Sequence, residues 1–374
     1  MKKILTFVLL ASVVMSLTGC GGTDTATDTT TPQSGSGSNA LTKVLTSGQN
    51  VVQTSVPLVA GDAMGTWKEL GLEVEKTSYV SGPPQLEANP SGDWNIGWIG
   101  ATAAITGILK YDMNVIGLSG YDYSNVAFAR EDSDIVKAGD KGVAGTLGTA
   151  EEWRGKKIIV GVGTVNYADL MLTLKELGLS ANDVTIINMD ISTGMQAFLS
   201  GSGDIWFGSS TYAIQVAAKP GYKTIHTMQG MDAGMAGNII ANRDYLSKNE
   251  DAVVKYLEGS IEVLLWLNDE NNANQAADWF VQGMKQDFGV EMTKIDALDN
   301  IKQTGFKDLK FYESLCEEGS DGLTGLQREF KKFYEYHVII GSQKEENMQK
   351  VLDAVDCTYL KKAIELYKKD HNIS

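Results

Sequence analysis

The feature that most constrains this fold is an alternation of short apolar runs with amphipathic stretches that close at glycine. Runs such as "LEVEKTSYV" (72–80) and "VTIINM" (184–189) have the length of strands, whereas "NYADLMLTLKELGL" (166–179) has helical periodicity. The alternation extends over residues 42–130 and again over 155–227. Strand-helix-strand units of this spacing predict parallel sheets with helices on both faces. The sequence therefore predicts an α/β protein with two such units.

Two apolar runs followed by charged turns border the second unit: "NVAFARED" leads in and "GNIIANRDY" leads out. Two chain crossings between two α/β lobes describe a hinge, and we place them near residues 126–130 and 238–242. The predicted lobes are 41–127 plus 240–374, and 128–239. Residues 246–374 read as a long helical C-terminal part of the first lobe.

The first forty residues predict an exported protein. "MKK", an apolar run and small residues before Cys20 have the order of a secretory signal peptide over 1–19, too short to span a membrane. "LTGC" resembles the lipobox of bacterial lipoproteins, which implies a lipid on Cys20 and an extracytoplasmic position at the membrane. Residues 21–40 lack large apolar side chains and predict a flexible linker.

Composition and motifs argue against several other classes. A formal net charge of −15 disfavours nucleic acid as a partner. The three histidines are scattered without metal-ligand spacing, and "GVGTVN" lacks the third glycine of the dinucleotide fingerprint. We expect no metal, no cofactor and no catalytic residue. Cys316 and Cys357 can pair as a disulfide or stay as two unpaired thiols, and the sequence leaves both open.

Small polar residues recur where predicted strands meet helices, the edge at which open parallel sheets bind ligands. One such place is the Gly-Pro-Pro corner after Ser81, whose prolines suit the first turn of a helix. Helix starts attract negative charge through unpaired amides and the helix dipole. The predicted ligand-binding residues are Ser47, Gln49, Asn50, Ser81, Gly82, Pro83, Gly100, Ala101, Thr102, Tyr121, Thr164, Asn166, Tyr167, Ser209, Ser210 and Thr211.

The stretch "TSYVSGPPQLEANPSGDWNIGWIGATAA" (77–104), with "AFAREDSDI" and "NIIANRD", resembles the solute-binding proteins of ABC importers for nitrate, aliphatic sulfonates and taurine. The resemblance covers roughly residues 42–245. It implies a two-lobed periplasmic-binding-protein type II fold, a small organic solute held between the lobes, and an ABC permease as partner. We expect a monomer.

Few basic residues lie near the predicted loops, whereas Asp122, Asp190 and Asp232 do. A multiply charged anion would usually be met by arginine. We therefore expect a small monoanionic or zwitterionic solute, sulfonate- or taurine-like, with an amino-acid-like or amine ligand as the alternative. A surface lipoprotein whose helical C-terminal part binds another protein is the rival from a different class.

Overall fold

The computed structural model describes residues 41–49, 52–231, 234–339 and 341–373. The predicted signal peptide (1–19), Cys20, the linker (21–40), Asn50 and Asp232 lie outside the described residues. Within them the chain builds two sheets, and the parts of the protein organised around each are called the first half and the second half below.

Helices and strands alternate through most of the chain. The first half begins with β1 (Thr42–Gln49), α1 (Val52–Met64), α2 (Thr66–Glu69), β2 (Leu72–Tyr79), α3 (Gly82–Ala88), β3 (Ile96–Gly100), α4 (Ala101–Lys110) and β4 (Met113–Asp122). The second half contains β5 (Val126–Arg130), α5 (Asp134–Ala138), α6 (Ala150–Trp153), β6 (Lys157–Val160), α7 (Val165–Glu176), β7 (Thr185–Asn188), α8 (Ile191–Leu199), β8 (Ile205–Gly208), α9 (Ser210–Ala217) and β9 (Tyr222–Thr227).

The chain then returns to the first half and becomes mostly helical. The elements are β10 (Met235–Asn242), α10 (Arg243–Lys248), α11 (Glu250–Asn268), α12 (Ala273–Phe288), α13 (Lys294–Lys302), β11 (Thr304–Gly305), α14 (Leu309–Leu315), α15 (Gly325–Ile339), α16 (Met348–Leu352) and α17 (Thr358–Asp370).

The first sheet has the strand order β11-β4-β10-β3-β1-β2, and the second has the order β7-β6-β8-β5-β9. The α/β prediction is confirmed. The sheets are mixed rather than purely parallel, because β10 runs antiparallel to β3 and β4, and β5 runs antiparallel to β8 and β9. These are the two strands by which the chain enters and leaves the second half, and each is inserted without a crossover helix.

The crossings lie a few residues before the places we predicted. Residues 126–130 form β5, wholly within the second sheet, and residues 238–242 belong to β10 of the first sheet. The chain therefore changes sheets at 123–125 and again between β9 and β10. The apolar runs were identified correctly, but they are sheet strands rather than the crossing segments. The lobe boundaries proposed from the sequence stay a prediction.

The C-terminal helices share one hydrophobic core with the first sheet. Tyr256 of α11 is fully buried; its hydroxyl shares a hydrogen bond with Thr46 Oγ1 (2.6 Å) and accepts one from Trp98 Nε1 (2.7 Å). Its ring also stacks on Trp67, with ring centroids 5.1 Å apart. Because these contacts join α11 to β1, β3 and α2, the C-terminal part is integral to the first half rather than a separate module.

Cys316 and Cys357 are both free thiols. Cys316 follows α14 and Cys357 precedes α17; the Cys357 thiol donates to the Leu315 carbonyl oxygen (3.1 Å). The neighbouring Cys357 thiol and burial raise the pKa of Cys316. The disulfide that the sequence left open is thus not formed. Among the described residues, no helix is long and apolar enough to cross a membrane.

Replacing Tyr256 by Phe tests the role of α11 in the first half. Losing the hydroxyl leaves the buried indole N–H of Trp98 without its acceptor, so we expect the free energy of unfolding to fall by about 1–3 kcal/mol. Urea denaturation followed by tryptophan fluorescence measures this. Tyr359→Phe, at a half-buried position on α17, is the control. An unchanged midpoint for Tyr256→Phe would contradict this role.

Glu258 of α11 predicts a pH dependence of stability. Its side chain is 2% exposed, and burial, with a contribution from Asp370, raises its pKa to about 7. The folded state then binds more protons than the unfolded state between about pH 4.5 and 7, so stability falls as the pH rises through that window. We expect Glu258→Gln to remove about 1–3 kcal/mol of that fall, measured by urea titrations at pH 5 and 8. The exposed Glu73→Gln should keep the wild-type dependence.

Candidate ligand-binding site

A cavity lies where the strand ends of the two sheets meet. The space between the lining residues is about 560 Å³ when the part open to solvent is included. Residues of both halves line it: Gln49, Val80, Ser81, Gly82, Gly100, Ala103, Asp122, Asn125, Gly161, Thr164, Val165, Asn166, Ile191 and Ser209. This is the edge at which α/β sheets place their ligands.

Helix starts surround the cavity, because each follows a strand that ends there. The residues before α3, α4, α7 and α9 are Ser81, Gly100, Thr164 and Ser209, and all four line it. Thr164 accepts a hydrogen bond from the Tyr167 backbone N–H and so caps α7. No side chain of the N-cap residue caps α4 or α9. Those two starts, one from each half, present positive dipole ends to the cavity.

The Gly-Pro-Pro corner contributes differently from what we expected. Pro83 and Pro84 have no N–H, and the Gln85 N–H donates to the Ser81 carbonyl oxygen (3.4 Å). The corner therefore cannot offer an array of amides. What it brings to the cavity is the Ser81 side chain, with Gly82 beside it.

A buried amide network supports the wall of the cavity on the first half. Gln49 Nε2 donates to Gln85 Oε1 (2.8 Å), and Gln85 Nε2 donates to Ser47 Oγ (2.7 Å) and to the Trp98 carbonyl oxygen (3.2 Å). Gln49 lines the cavity, whereas Ser47 lies beneath it and is fully buried. The network fixes Gln49 against α3 by satisfying both ends of the Gln85 side chain.

Asp122 brings a carboxylate to the cavity at the end of β4. It is 3% exposed; its Oδ1 accepts the Ser124 backbone N–H (2.7 Å) and its Oδ2 accepts from Asn125 Nδ2 (3.5 Å). Both donors belong to the first crossing. Among the lining residues Asp122 is the ionisable one, and they include no lysine, arginine or histidine. The cavity therefore combines a negative side chain with the positive ends of helices.

Asn166 in the first turn of α7 has a further unused polar atom. Its side chain is 7% exposed, and its Oδ1 is buried with no hydrogen-bond partner among the described residues. A buried carbonyl oxygen without a donor is costly. A donor from a bound molecule would remove that cost.

The structure brings seven of the predicted residues together in the lining: Gln49, Ser81, Gly82, Gly100, Thr164, Asn166 and Ser209. Others lie outside it. Ser47 is beneath the cavity, Ala101 is buried, the Thr102 hydroxyl bonds His337, Tyr167 packs against the core of the second half, and Pro83 lies outside the lining beside Gly163. Ser210 and Thr211 lie in α9, and their side chains are outside the described set, as is Asn50.

Tyr121 lies on the other side of β4, where its hydroxyl donates to Glu329 Oε2 (2.7 Å). Successive strand residues face opposite sides of a sheet, so Asp122 faces the cavity when Tyr121 does not. Among the lining residues not predicted were Val80, Ala103, Asn125, Gly161, Val165 and Ile191. Gly161 begins the "GVGT" strand end and Val165 follows it, so both could have been found there.

Within the described residues, no group of three or more histidine, cysteine, aspartate or glutamate side chains could hold a metal ion.

Two mixed α/β sheets, joined by two crossings and enclosing this cavity, define the periplasmic binding protein fold. The fold predicted from the resemblance is confirmed.

Residues 144–264 match the family model described as NMT1/THI5 like. A protein from Bacillus subtilis that is named as an aliphatic sulfonates-binding protein is 26% identical to this chain, over 98% of both chains. A protein named as an ABC transporter periplasmic binding protein from Brachyspira hyodysenteriae is 23% identical over 58% of this chain, and the match spans 63% of that relative. The periplasmic nitrate-binding protein NrtA from Synechocystis has a TM-score of 0.68 at 13% identity, covering 89% and 91% of the two chains.

The contact between α4 and α7 at the cavity provides a test of how the halves meet. A Cβ added at Gly100 would lie 2.8 Å from Val165 Cγ2. We expect Gly100→Ala to lower the free energy of unfolding by about 1–3 kcal/mol through overpacking, and Val165→Ala to relieve it in the double variant. A double-mutant cycle in urea measures the coupling. Additive effects would contradict direct packing of the two helix starts.

Proposed function

We propose that the protein is the extracytoplasmic solute-binding component of an ABC importer and captures a small zwitterionic organic solute that carries an acid group and an amine. The observation that carries this proposal is the cavity between the halves, lined by two helix starts without side-chain caps and by Asp122. The solute would then pass to an ABC permease, and the chain would act as a monomer without catalysis.

The relatives support the transport class. The Bacillus subtilis relative, similar over nearly its whole length, is named for aliphatic sulfonates, and the Brachyspira relative is named as an ABC transporter binding protein. A sulfonate is an acid group that helix starts can bind without arginine, because backbone N–H groups and the helix dipole both favour negative charge. Taurine, which joins a sulfonate to an amine, fits this chemistry.

The amine end is assigned to Asp122. An ammonium group can donate to a carboxylate, and a charge-assisted hydrogen bond of this kind is stronger than a neutral one. Asn166 Oδ1, in the same cavity, offers a second acceptor. The acid end would lie at the starts of α4 and α9, near Gly100 and Ser209. Gln49, Ser81 and Thr164 supply further polar contacts around the solute.

Capture would proceed by closure of the two halves about residues 123–125 and the segment between β9 and β10. A ligand drives such closure only by binding the closed form better than the open one. The lipid on Cys20 and the linker at 21–40, expected from the sequence, would hold the protein at the outer face of a membrane. Scattering should show compaction when the solute binds.

Asp122→Asn tests the assignment of the amine. We expect the variant to bind taurine and β-alanine at least tenfold more weakly, about 1.4 kcal/mol, and 1-propanesulfonate no more weakly than the wild type. Isothermal titration of refolded, ligand-free protein measures the three affinities. The asparagine oxygen can still accept the Ser124 N–H, so the variant loses only the long contact from Asn125 Nδ2 (3.5 Å).

The exposed Asp93→Asn is the matched control and should leave all three affinities unchanged. Native mass spectrometry of the purified protein would identify a solute carried through purification. Tight binding of a phosphate ester or of 1-propanesulfonate in preference to taurine would overturn the zwitterion proposal. Retention of wild-type taurine affinity in Asp122→Asn would overturn the role of that carboxylate.

A further inference from the structure

Helix α15 of the C-terminal part touches both α4 and α7, whose starts lie beside each other at the cavity. The Tyr336 hydroxyl donates to the Ala168 carbonyl oxygen of α7 in the second half (3.2 Å). The next residue, His337, shares a hydrogen bond through Nε2 with Thr102 Oγ1 of α4 in the first half (3.2 Å). Both α4 and α7 contribute lining residues within one turn of these bonds.

The rest of α15 is anchored in the first half. Phe330, Phe333 and Tyr334 are buried in the core that α15 shares with the first sheet, and the Tyr334 hydroxyl donates to the Lys344 carbonyl oxygen (2.7 Å). Tyr336, in contrast, reaches over to α7. The helix is therefore a fixed support with one side chain that extends to the other half.

The His337 side chain is buried, whereas Tyr336 is half-buried. His337 is 2% exposed, its Nδ1 pairs with Ser342 Oγ (2.8 Å), and burial lowers its pKa to about 4, so the ring is neutral near pH 7. Burial also raises the pKa of Tyr336, which keeps its hydroxyl protonated as a donor. The rings of the two residues meet edge to face, with centroids 6.0 Å apart.

We propose that α15 forms a third connection between the halves, and that Tyr336 is a positioning residue holding the start of α7 against α4 in the closed form. The two covalent crossings permit a hinge, but they do not fix the position that α7 takes relative to α4 in the closed form. The Tyr336 bond to Ala168 can form only when α7 has approached the first half, so opening the cavity must break it. This inference rests on the proposed closure and not on the identity of the solute.

The test uses the full chain without ligand and compares Tyr336→Phe with Tyr334→Phe. The control also removes a tyrosine hydroxyl that donates to a backbone carbonyl on the same helix, but its bond stays within the first half. For Tyr336→Phe we expect hydrogen exchange in residues 165–170 to rise roughly fivefold, the effect of losing about 1 kcal/mol. The radius of gyration by scattering should shift toward an open form. Tyr334→Phe should leave the radius of gyration unchanged. It should raise hydrogen exchange in residues 165–170 no more than its loss of global stability explains.

Exchange and scattering equal to wild type in Tyr336→Phe would overturn the proposal, as would the same change in both variants. Thr102→Val, which breaks the α4 side of the support, should give a smaller change in the same direction if α15 acts as described. Because no solute is added, failure of the zwitterion assignment leaves this result unaffected.

Discussion

The structure depends on how the chain satisfies the first N–H groups of the helices at the edge where the strands end. These groups have no acceptor within their own helix. In α7 the Thr164 side chain accepts one of these groups, and in α8 the Asp190 side chain accepts two, so those starts are partly satisfied by side chains. In α4 and α9 the preceding residues, Gly100 and Ser209, provide no side-chain acceptor. Unpaired N–H groups at a helix start favour negative charge, and the proposed function assigns the acid group of the solute to these two starts.

Much of this arrangement could be predicted from the sequence, because a helix start leaves a local signal. Ser81, Gly100, Thr164 and Ser209 stand where an apolar run gives way to helical periodicity, and all four line the cavity. Which of two neighbouring residues faces inward has no such signal, since a shift of one residue exchanges the faces of a strand. The crossings were misplaced for a related reason: β5 pairs with β8 and β9, far along the chain, and no local pattern reveals those partners.

The role of the C-terminal part could not be derived from its helical periodicity alone. An apolar stripe on α11 fits a partner protein as well as it fits the chain's own sheet. The structure places Tyr256 from that stripe against Thr46 and Trp98, which makes the helix part of the first half. The Bacillus subtilis relative aligns over 98% of its length, so a comparable C-terminal part is present there too. In our proposal, the C-terminal part does more than cover the first sheet, because its helix α15 also contacts α7 in the second half.

The charge balance of the cavity is the reason we propose a zwitterion rather than a simple anion as the solute. Asp122 is buried there and accepts backbone and amide N–H groups, and the described residues that line the cavity include no lysine, arginine or histidine. A guest anion about 5 Å from that carboxylate would be repelled by about 3 kcal/mol at an effective dielectric constant near 20. That cost is similar to the gain from several helix-start hydrogen bonds, and for this reason our proposal does not favour a simple anion. A guest with an ammonium group between the two negative charges turns the same repulsion into attraction, and only such a guest uses both the helix starts and the carboxylate.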